Sequence, residues 1–321
     1  MSYKPILLVA GEPNSVFSEI FFKSLKKNHY KSPLIIIVSK NLLLKQMALL
    51  GFNYKINIID EKYIDINELD NKKINIIDVE YTFKYAFEKI TNKSQAYINN
   101  CFKVALKILK KNKFSKLING PISKKDFLQG GHLGITEYLA KLTNKKNNVA
   151  MLIYNAKLSV SPITTHLPLK DVNKNITKKK IIDHVKLIRT FYKKVLKKNV
   201  KIAITGLNPH CESNYKSSEE KRIIEPAIKA LIKKKIKVFG PFAADTIFMK
   251  EQFKNYDVII GMYHDQVLTP LKSLFGFNAI NITLGLPFTR VSPDHGPNYS
   301  MLGKNLSDPK SLIEAIKFLD K

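Results

Sequence analysis

The segment from Tyr256 to Gln266 reads YDVIIGMYHDQ and gives the clearest indication of the fold. Its first part, Asp257–Met262, is a short run of apolar and β-branched residues, which is the composition of a buried strand. Its second part, Tyr263–Gln266, is polar and begins directly where the run ends. Open parallel sheets bind their ligands beyond the carboxyl ends of the strands. The stretch therefore predicts a parallel strand that carries functional side chains at its carboxyl end.

The same arrangement repeats along the whole chain. Short strand-like runs alternate with longer segments of helical period such as Gln95–Lys111, the pattern of a mostly parallel α/β protein. We find no internal repeat and no linker rich in proline or glycine, which favours two lobes built from interleaved segments. The lysine-rich stretch Asn173–Lys180 is the most loop-like region, and we expect it to serve solubility only. The predicted strands are Ile6–Ala10, Leu34–Ser39, Ile74–Val79, Lys116–Asn119, Ala150–Tyr154, Ser159–Thr164, Lys201–Thr205, Lys237–Phe239, Asp257–Met262 and Ala279–Thr283.

Length and composition exclude several classes of protein. The 321 residues exceed the usual size of a single hydrophobic core, and an apolar content of 45% is too high for a disordered chain. Cys101 and Cys211 are too few for a disulfide framework. The longest apolar runs fall far short of the roughly 20 residues that span a bilayer. We expect a cytoplasmic protein that does not bind membranes.

The net charge of +28 would ordinarily suggest a nucleic-acid-binding protein. Only Arg189, Arg222 and Arg290 are arginine, however, and the other 51 basic residues are lysine. Arginine is the residue that reads guanine edges and binds phosphate with a bidentate fork. Nucleic-acid binding is therefore a remote alternative, and we expect the excess positive charge to attract acidic metabolites or nucleotides through its long-range field.

Three histidines, His166, His210 and His264, lie two to five residues beyond predicted strands. Three neutral imidazoles that converge would form a divalent-metal site with open positions for a substrate. Their spacings of 44 and 54 residues match no local metal motif, so hydrogen bonding of each histidine within its own loop stays an alternative.

Arg290 is notable because arginine is so scarce, and we place it in a loop at the end of a strand. Its planar fork suits a phosphate or a carboxylate, although a structural ion pair would also explain it. Ser123 and Cys211 lie in no known hydrolase motif, and neither G-x-G-x-x-G nor a Walker sequence occurs.

Several strings resemble the 4-hydroxythreonine-4-phosphate dehydrogenases of vitamin B6 biosynthesis. The match runs in order from near the N-terminus to about Lys304. The strings are GEP (11–13), NGPISK (119–124), TEYLA (136–140), TTHLPLKDV (164–172), GLNPH (206–210), ADTIF (244–248), YDVIIGMYHDQ (256–266), NITLGLPFTR (281–290) and DHG (294–296).

The resemblance implies a fold like that of isocitrate and isopropylmalate dehydrogenases, with two α/β lobes of mostly parallel sheets around a central cleft. We place the nucleotide-side lobe at residues 1–125 plus 286–321, and the metal, substrate and dimer side at 126–285. The implied enzyme is a cytoplasmic homodimer with its active site shared between subunits. It would oxidise and decarboxylate 4-phosphooxy-L-threonine with NAD or NADP and one divalent metal ion (Zn, Co, Mn or Mg).

Carried over by position, the resemblance assigns roles to individual residues. The metal ligands would be His166, His210 and His264. Asp245 is not part of this carry-over: it follows a predicted strand at the same edge of the sheet, and we consider it a candidate for orienting a ligand or moving a proton. The substrate contacts would be Thr136, Lys272, Asn281 and Arg290, and the nucleotide contacts would be Asp294, His295 and Gly296.

Two departures from the family pattern bear on the substrate and the cofactor. Ile135 stands where the family usually has a histidine, so a hydrogen-bonding contact to the substrate is missing, and nearby His132 is a candidate replacement. This keeps open a sister dehydrogenase that acts on another phosphorylated hydroxy acid such as 4-phosphoerythronate. Ser300 replaces a family acid, which leaves the choice between NAD and NADP open.

Overall fold

The strands and helices of the chain alternate as the sequence predicts. The computed structural model describes residues 3–26, 29–112, 114–128, 131, 134–145, 148–211, 217–276, 278–293 and 296–321. They form two units, one made of Met1–His132 with Pro287–Lys321 and the other of Leu133–Leu286. The second unit is thus a continuous segment inserted into the first.

The strands of the described residues are short, from three to five residues each. They are β1 (Ile6–Val9), β2 (Leu34–Val38), β3 (Ile56–Ile58), β4 (Ile74–Asp78), β5 (Lys116–Asn119), β6 (Ala150–Tyr154), β7 (Ser159–Pro162), β8 (Ile202–Thr205), β9 (Val238–Phe242), β10 (Val258–Gly261), β11 (Ile280–Leu284) and β12 (Thr289–Pro293).

The helices of the described residues follow the strands. They are α1 (Phe17–Lys26), α2 (Lys40–Leu49), α3 (Ser94–Lys111), α4 (Lys124–Leu128), α5 (Ile135–Leu142), α6 (Lys178–Lys194), α7 (Glu225–Lys233), α8 (Lys250–Phe253), α9 (His264–Phe275) and α10 (Lys310–Leu319). A π-helical turn, Glu220–Ile224, precedes α7. None of these helices is long and apolar enough to cross a membrane.

The first unit is a parallel sheet with the strand order β3-β4-β2-β1-β5-β12. Strands β1 and β2 are buried along their full length, as expected for parallel strands that are covered on both faces. We did not predict β3 or β12 from the sequence. Strand β3 has only three residues, and β12 contains polar residues and a proline. The prediction that Arg290 lies in a loop was wrong, because it is the second residue of β12.

The second unit has the strand order β11-β6-β7-β10-β8-β9. Strand β6 is antiparallel to both of its neighbours, whereas β7, β10, β8 and β9 are parallel to one another. The carboxyl ends of β7, β8 and β10 therefore lie at one edge of the sheet. Strand β9 continues to Phe242, beyond its predicted end at Phe239, because an edge strand tolerates the proline at 241. Helix α9 contributes Val267 and Leu271 to the core beneath this sheet.

Candidate active site

Two of the three predicted metal-binding histidines lie side by side in the second unit. Strands β7 and β10 pair in parallel, and the pairing continues past their ends, where the N–H of Thr164 donates to the carbonyl of Met262 at 3.2 Å. His166 follows β7, and His264 is the first residue of α9. Their ring centroids are 5.8 Å apart with an angle of 41° between the planes. Adjacent parallel strands thus bring together two residues that are 98 positions apart.

A carboxylate fixes the orientation of the His264 ring. Its Nδ1 lies 2.7 Å from Oδ1 of Asp265. An ionised carboxylate can only accept, so in the neutral imidazole Nδ1 carries the hydrogen and Nε2 keeps its lone pair. Metal-binding histidines commonly have this arrangement, in which the second nitrogen donates to a carboxylate.

The His166 ring lies against Gly134, the residue that precedes α5. A Cβ atom at Gly134 would be 3.1 Å from Cε1 and 3.2 Å from Nδ1 of His166, and 2.9 Å from Oε2 of Glu137. The φ angle of Gly134 is −168°, which any residue adopts, so glycine is needed here for space. Oε1 of Glu137 accepts a hydrogen bond from Thr165 at 3.4 Å. The missing side chain leaves room for an imidazole and a carboxylate, a donor set that suits a divalent metal.

His210 contacts neither His166 nor His264 in the hydrogen bonds and ring contacts of the described residues. It sits in the loop after β8 with φ 58°, its side chain is 72% exposed, and its Nδ1 is 3.6 Å from Oδ2 of Asp245. No group of three or more His, Cys, Asp or Glu residues within the described ranges is arranged to hold a metal ion. The structure therefore pairs His166 with His264 and His210 with Asp245.

Glu220 anchors the loop that carries His210, a role that we did not predict from the sequence. Its Oε1 accepts the backbone N–H groups of Leu207 at 2.8 Å and Asn208 at 2.9 Å, and its Oε2 accepts from the Asn208 side chain at 3.0 Å. Burial alone would raise the pKa of Glu220, but these hydrogen bonds outweigh it and hold the pKa below its usual range. The sequence feature that could have indicated this role is the pair of acidic residues Glu219-Glu220, in a chain with few acidic residues.

Gln266 ties the loop after β8 to the loop after β10. Its Nε2 donates to the carbonyl of Gly206 at 2.9 Å, and its Oε1 accepts from the N–H of Met262 at 2.7 Å and from the hydroxyl of Thr205 at 3.0 Å. Both ends of the amide are therefore engaged. This side chain fixes the two loops that present His210 and His264.

Three predicted substrate contacts lie on elements of the second unit. The Thr136 hydroxyl, in the first turn of α5, is 3.2 Å from that of Thr283 on β11. Asn281 precedes Thr283 by two residues and so faces the same side of β11. Its Oδ1 is buried and has no hydrogen-bond partner among the described residues. Lys272 is in the last turn of α9. The Oδ1 atom of Asn281 is thus a buried acceptor that can receive a hydrogen bond from a ligand.

Arg290 belongs to the first unit and is 3% exposed. Its Nε donates to Oδ1 of Asn119, at the end of the neighbouring strand β5, at 2.7 Å. The planar guanidinium is a group that suits an anion such as a phosphate or a carboxylate.

The predicted nucleotide contacts are only partly described. Asp294 and His295 lie outside the described residues, and so does His132. Gly296 is described, in a segment without regular secondary structure. The nucleotide assignment stays a prediction.

A pocket of about 530 Å³ opens within the second unit beside Thr136. Its lining includes Glu137, Thr165, Lys180 and His184. Lys174 and Asn175 also line it, so the stretch that we expected to serve only solubility forms one of its walls. This stretch is a 3₁₀ turn followed by the start of α6, which the sequence did not indicate.

Comparison with known proteins identifies a family. A model described as "Pyridoxal phosphate biosynthetic protein PdxA" matches residues 29–319. A 4-hydroxythreonine-4-phosphate dehydrogenase of Sulfurihydrogenibium sp. is 41% identical, over 97% of this chain and 96% of the relative. A D-threonate 4-phosphate dehydrogenase of Pectobacterium atrosepticum is 30% identical, over 98% of both.

Solved structures agree with the fold prediction. The crystal structure of a 4-hydroxythreonine-4-phosphate dehydrogenase from Klebsiella pneumoniae has a TM-score of 0.84 at 29% identity, and 98% of each chain is covered. An isocitrate dehydrogenase from Methylococcus capsulatus has a TM-score of 0.50 at 10% identity, over 97% of this chain and 83% of the other. The predicted fold class is therefore confirmed.

Proposed function

The chain belongs to the PdxA family of pyridoxal phosphate biosynthetic proteins, and we propose that it oxidises and decarboxylates 4-phosphooxy-L-threonine. The product is 3-amino-2-oxopropyl phosphate, and the electron acceptor is NAD or NADP. The observation that carries the proposal is the pairing of His166 and His264, whose ring centroids lie 5.8 Å apart beyond the ends of two parallel strands. The names of the relatives, which are dehydrogenases of phosphorylated hydroxy acids, support the same reaction class.

The proposed metal ligands are His166, His210 and His264. A divalent ion held by them (Zn, Co, Mn or Mg) would polarise the reacting oxygen of the substrate as a Lewis acid. Asp265 orients His264 through Nδ1 at 2.7 Å. Asp245 lies near His210, with its Oδ2 3.6 Å from Nδ1, which is too long for a direct hydrogen bond.

The remaining candidates bind the substrate. The phosphate and the carboxylate of the substrate require cationic partners, which Lys272 and Arg290 supply. The buried Oδ1 of Asn281 suits the ammonium or the hydroxyl group as a donor, and Thr136 offers a hydroxyl in the first turn of α5. Fixing these groups orients the carbon to be oxidised.

The reaction balances in two steps. The C3–H and O–H bonds of the secondary alcohol break as the carbonyl forms. Two electrons and one proton pass to the oxidised nicotinamide, and the second proton goes to a base. We assign proton movement to Asp245. The bond from C2 to the carboxylate then breaks, CO₂ leaves, and the electron pair left on C2 takes up a proton.

We propose a homodimer whose subunits share the active site. Each chain offers a His166–His264 pair and a separately placed, exposed His210. An exposed histidine of one subunit that completes the site of the other would account for this division. The proposed setting is the cytoplasm, where a phosphorylated metabolite is available.

A second substrate class is favoured by one residue. Ile135, the first residue of α5, is 9% exposed, and its side chain cannot donate a hydrogen bond to a substrate. Thr136 beside it keeps its hydroxyl. The alternative is a sister activity on a phosphorylated sugar acid such as 4-phosphoerythronate or D-threonate 4-phosphate, in which a hydroxyl replaces the ammonium.

The test is NADH formation by the purified full-length protein with a divalent metal and NAD⁺. 4-Phosphooxy-L-threonine, 4-phosphoerythronate and D-threonate 4-phosphate are compared as substrates. The variant is His210→Ala, and the matched control is His29→Ala, since His29 is an exposed histidine of the first unit. We expect metal-dependent turnover of the threonine phosphate that His210→Ala abolishes and His29→Ala preserves. Turnover of only a sugar acid would establish the alternative, and no turnover of any of the three would refute the proposal.

A further inference from the structure

The loop Gly206–Cys211 is held firmly although it ends at an exposed side chain. Gly206 is packed so closely that a Cβ atom there would be 2.5 Å from Sγ of Cys211 and 3.1 Å from Oε1 of Glu220. The Gly206 carbonyl accepts the hydrogen bond from Gln266. The His210 side chain at the end of this loop is 72% exposed. The loop is thus held at Gly206 by close packing and a hydrogen bond, whereas the His210 imidazole is exposed.

His210 and Cys211 both adopt the left-handed backbone conformation, with φ of 58° and 56°. Residues with a Cβ rarely adopt it, and they keep it only where the surroundings impose it. Two such residues in succession therefore require an external restraint on the chain just before them. That restraint acts on Leu207 and Asn208, whose N–H groups both donate to Glu220.

The burial and the hydrogen bonds of Glu220 suit it to restrain Leu207 and Asn208. It is 1% exposed, its Oε1 accepts from the backbone of both Leu207 and Asn208, and its Oε2 accepts from the Asn208 side chain. It begins a π-helical turn, a rare geometry that recurs at functional sites. Glu219 also accepts a hydrogen bond from the Asn208 side chain, at 3.0 Å. Neighbouring positions of one helix thus provide a main anchor and a minor one.

We propose that Glu220 is the positioning residue of His210. Its buried carboxylate holds the backbone of Leu207 and Asn208, so that His210 is presented in its left-handed conformation to the divalent metal. The inference rests on the proposed function, in which His210 is a metal ligand. Glu220 acts through the loop and contacts neither the metal nor the substrate.

The Glu220→Gln variant tests this because it keeps the shape of the side chain. Both carboxylate oxygens accept from N–H donors, so either orientation of the amide turns its NH₂ group toward a donor. Glu219→Gln is the matched control, since it removes the same charge one position away. Co²⁺ is the metal probe, and its affinity is measured by the visible absorption of the bound ion in the full-length protein without substrate.

A double-mutant cycle with His210→Ala separates positioning from general stability. Glu220→Gln should weaken Co²⁺ binding by about tenfold, since partners of metal ligands typically contribute 10- to 100-fold. Glu219→Gln should leave it unchanged. In the His210→Ala background, Glu220→Gln should cause no further loss, because the ligand it positions is gone. Circular dichroism and the melting temperature confirm that each variant is folded.

The outcomes are distinguishable. An equal loss of Co²⁺ affinity in both backgrounds would show that Glu220 acts independently of His210, and unchanged affinity in Glu220→Gln would show that it positions nothing. Either result overturns the inference while the metal site stands. Unchanged Co²⁺ affinity in His210→Ala alone would instead remove His210 from the proposed metal site, and the inference would fail with it.

Discussion

Replacing His184 by glutamine is expected to flatten the loss of stability of the protein in acid. His184 lies on α6, is 6% exposed, and its Nε2 is 2.6 Å from the Ser161 hydroxyl. Ser161 donates its single hydrogen to the carbonyl of Met151, so it accepts from His184, whose Nε2 carries the hydrogen. Burial, with a smaller contribution from the charge of Lys180, lowers the pKa of His184 to about 3.

The size of the effect follows from the two pKa values. The unfolded chain binds a proton at His184 below its ordinary pKa of 6.5, whereas the folded chain binds one only near pH 3. The stability contributed by neutral His184 is therefore complete above pH 6.5 and is lost as the pH falls toward 3. The loss is about 1.4 kcal/mol per pH unit within this window, or roughly 2.5 kcal/mol between pH 7 and pH 4.5.

Urea unfolding at pH 7 and pH 4.5 measures this difference. Glutamine can still donate to Ser161 but does not titrate, so His184→Gln should lose roughly 2.5 kcal/mol less than the unmodified chain between the two pH values. His29→Gln serves as the control, because His29 is exposed and its replacement should leave the pH dependence unchanged. An equal loss in His184→Gln and in the unmodified chain would show that His184 does not cause the loss of stability in acid.

Three further substitutions test packing and hydrogen bonding. Gly134→Ala places a methyl group 3.1 Å from the His166 ring and should weaken Co²⁺ binding several-fold with little change in melting temperature; an unchanged Co²⁺ titration would contradict this. Asn119→Ala removes the acceptor of the buried Arg290 Nε and should lower the unfolding free energy by about 1–3 kcal/mol in urea titrations, whereas an unaltered midpoint would show that the contact is dispensable. Gly285→Ala, at φ +89° with a backbone carbonyl oxygen 2.1 Å from the new Cβ, should lower the melting temperature by several degrees, and an unchanged value would refute the crowding argument.

The fold was predictable because its strands are short apolar runs that need no distant partner to be recognised. Asp257–Met262 contains the observed β10, with ends that differ by one residue. A parallel sheet then places the segments after neighbouring strands together, which is why His166 and His264 could be expected to meet. Strand β12 was missed because its burial depends on its pairing with β5, which no local pattern records.

The anchoring residues of the site could not be found in this way. Glu220 binds Asn208 and Leu207, which precede it by 12 and 13 positions. It is the first residue of a π-helical turn, and we know of no sequence signature that predicts such a turn. Gln266 belongs to the segment Tyr256–Gln266, but the hydrogen bonds at both ends of its amide depend on how far apart the loops after β8 and β10 lie. The candidate residues of the site could be predicted from the sequence, whereas the hydrogen bonds that hold them in place are visible only in the structure.

The insertion of the second unit into the first sets an order on folding during synthesis. Strand β12 pairs with β5, yet about 170 residues separate them in the chain. At a synthesis rate of 5–20 residues per second, the edge of β5 waits roughly 10 to 30 s for its partner. An unpaired strand edge is a template for aggregation. The unit begun first by the ribosome is thus completed last, and β5 is the edge that a chaperone would need to protect.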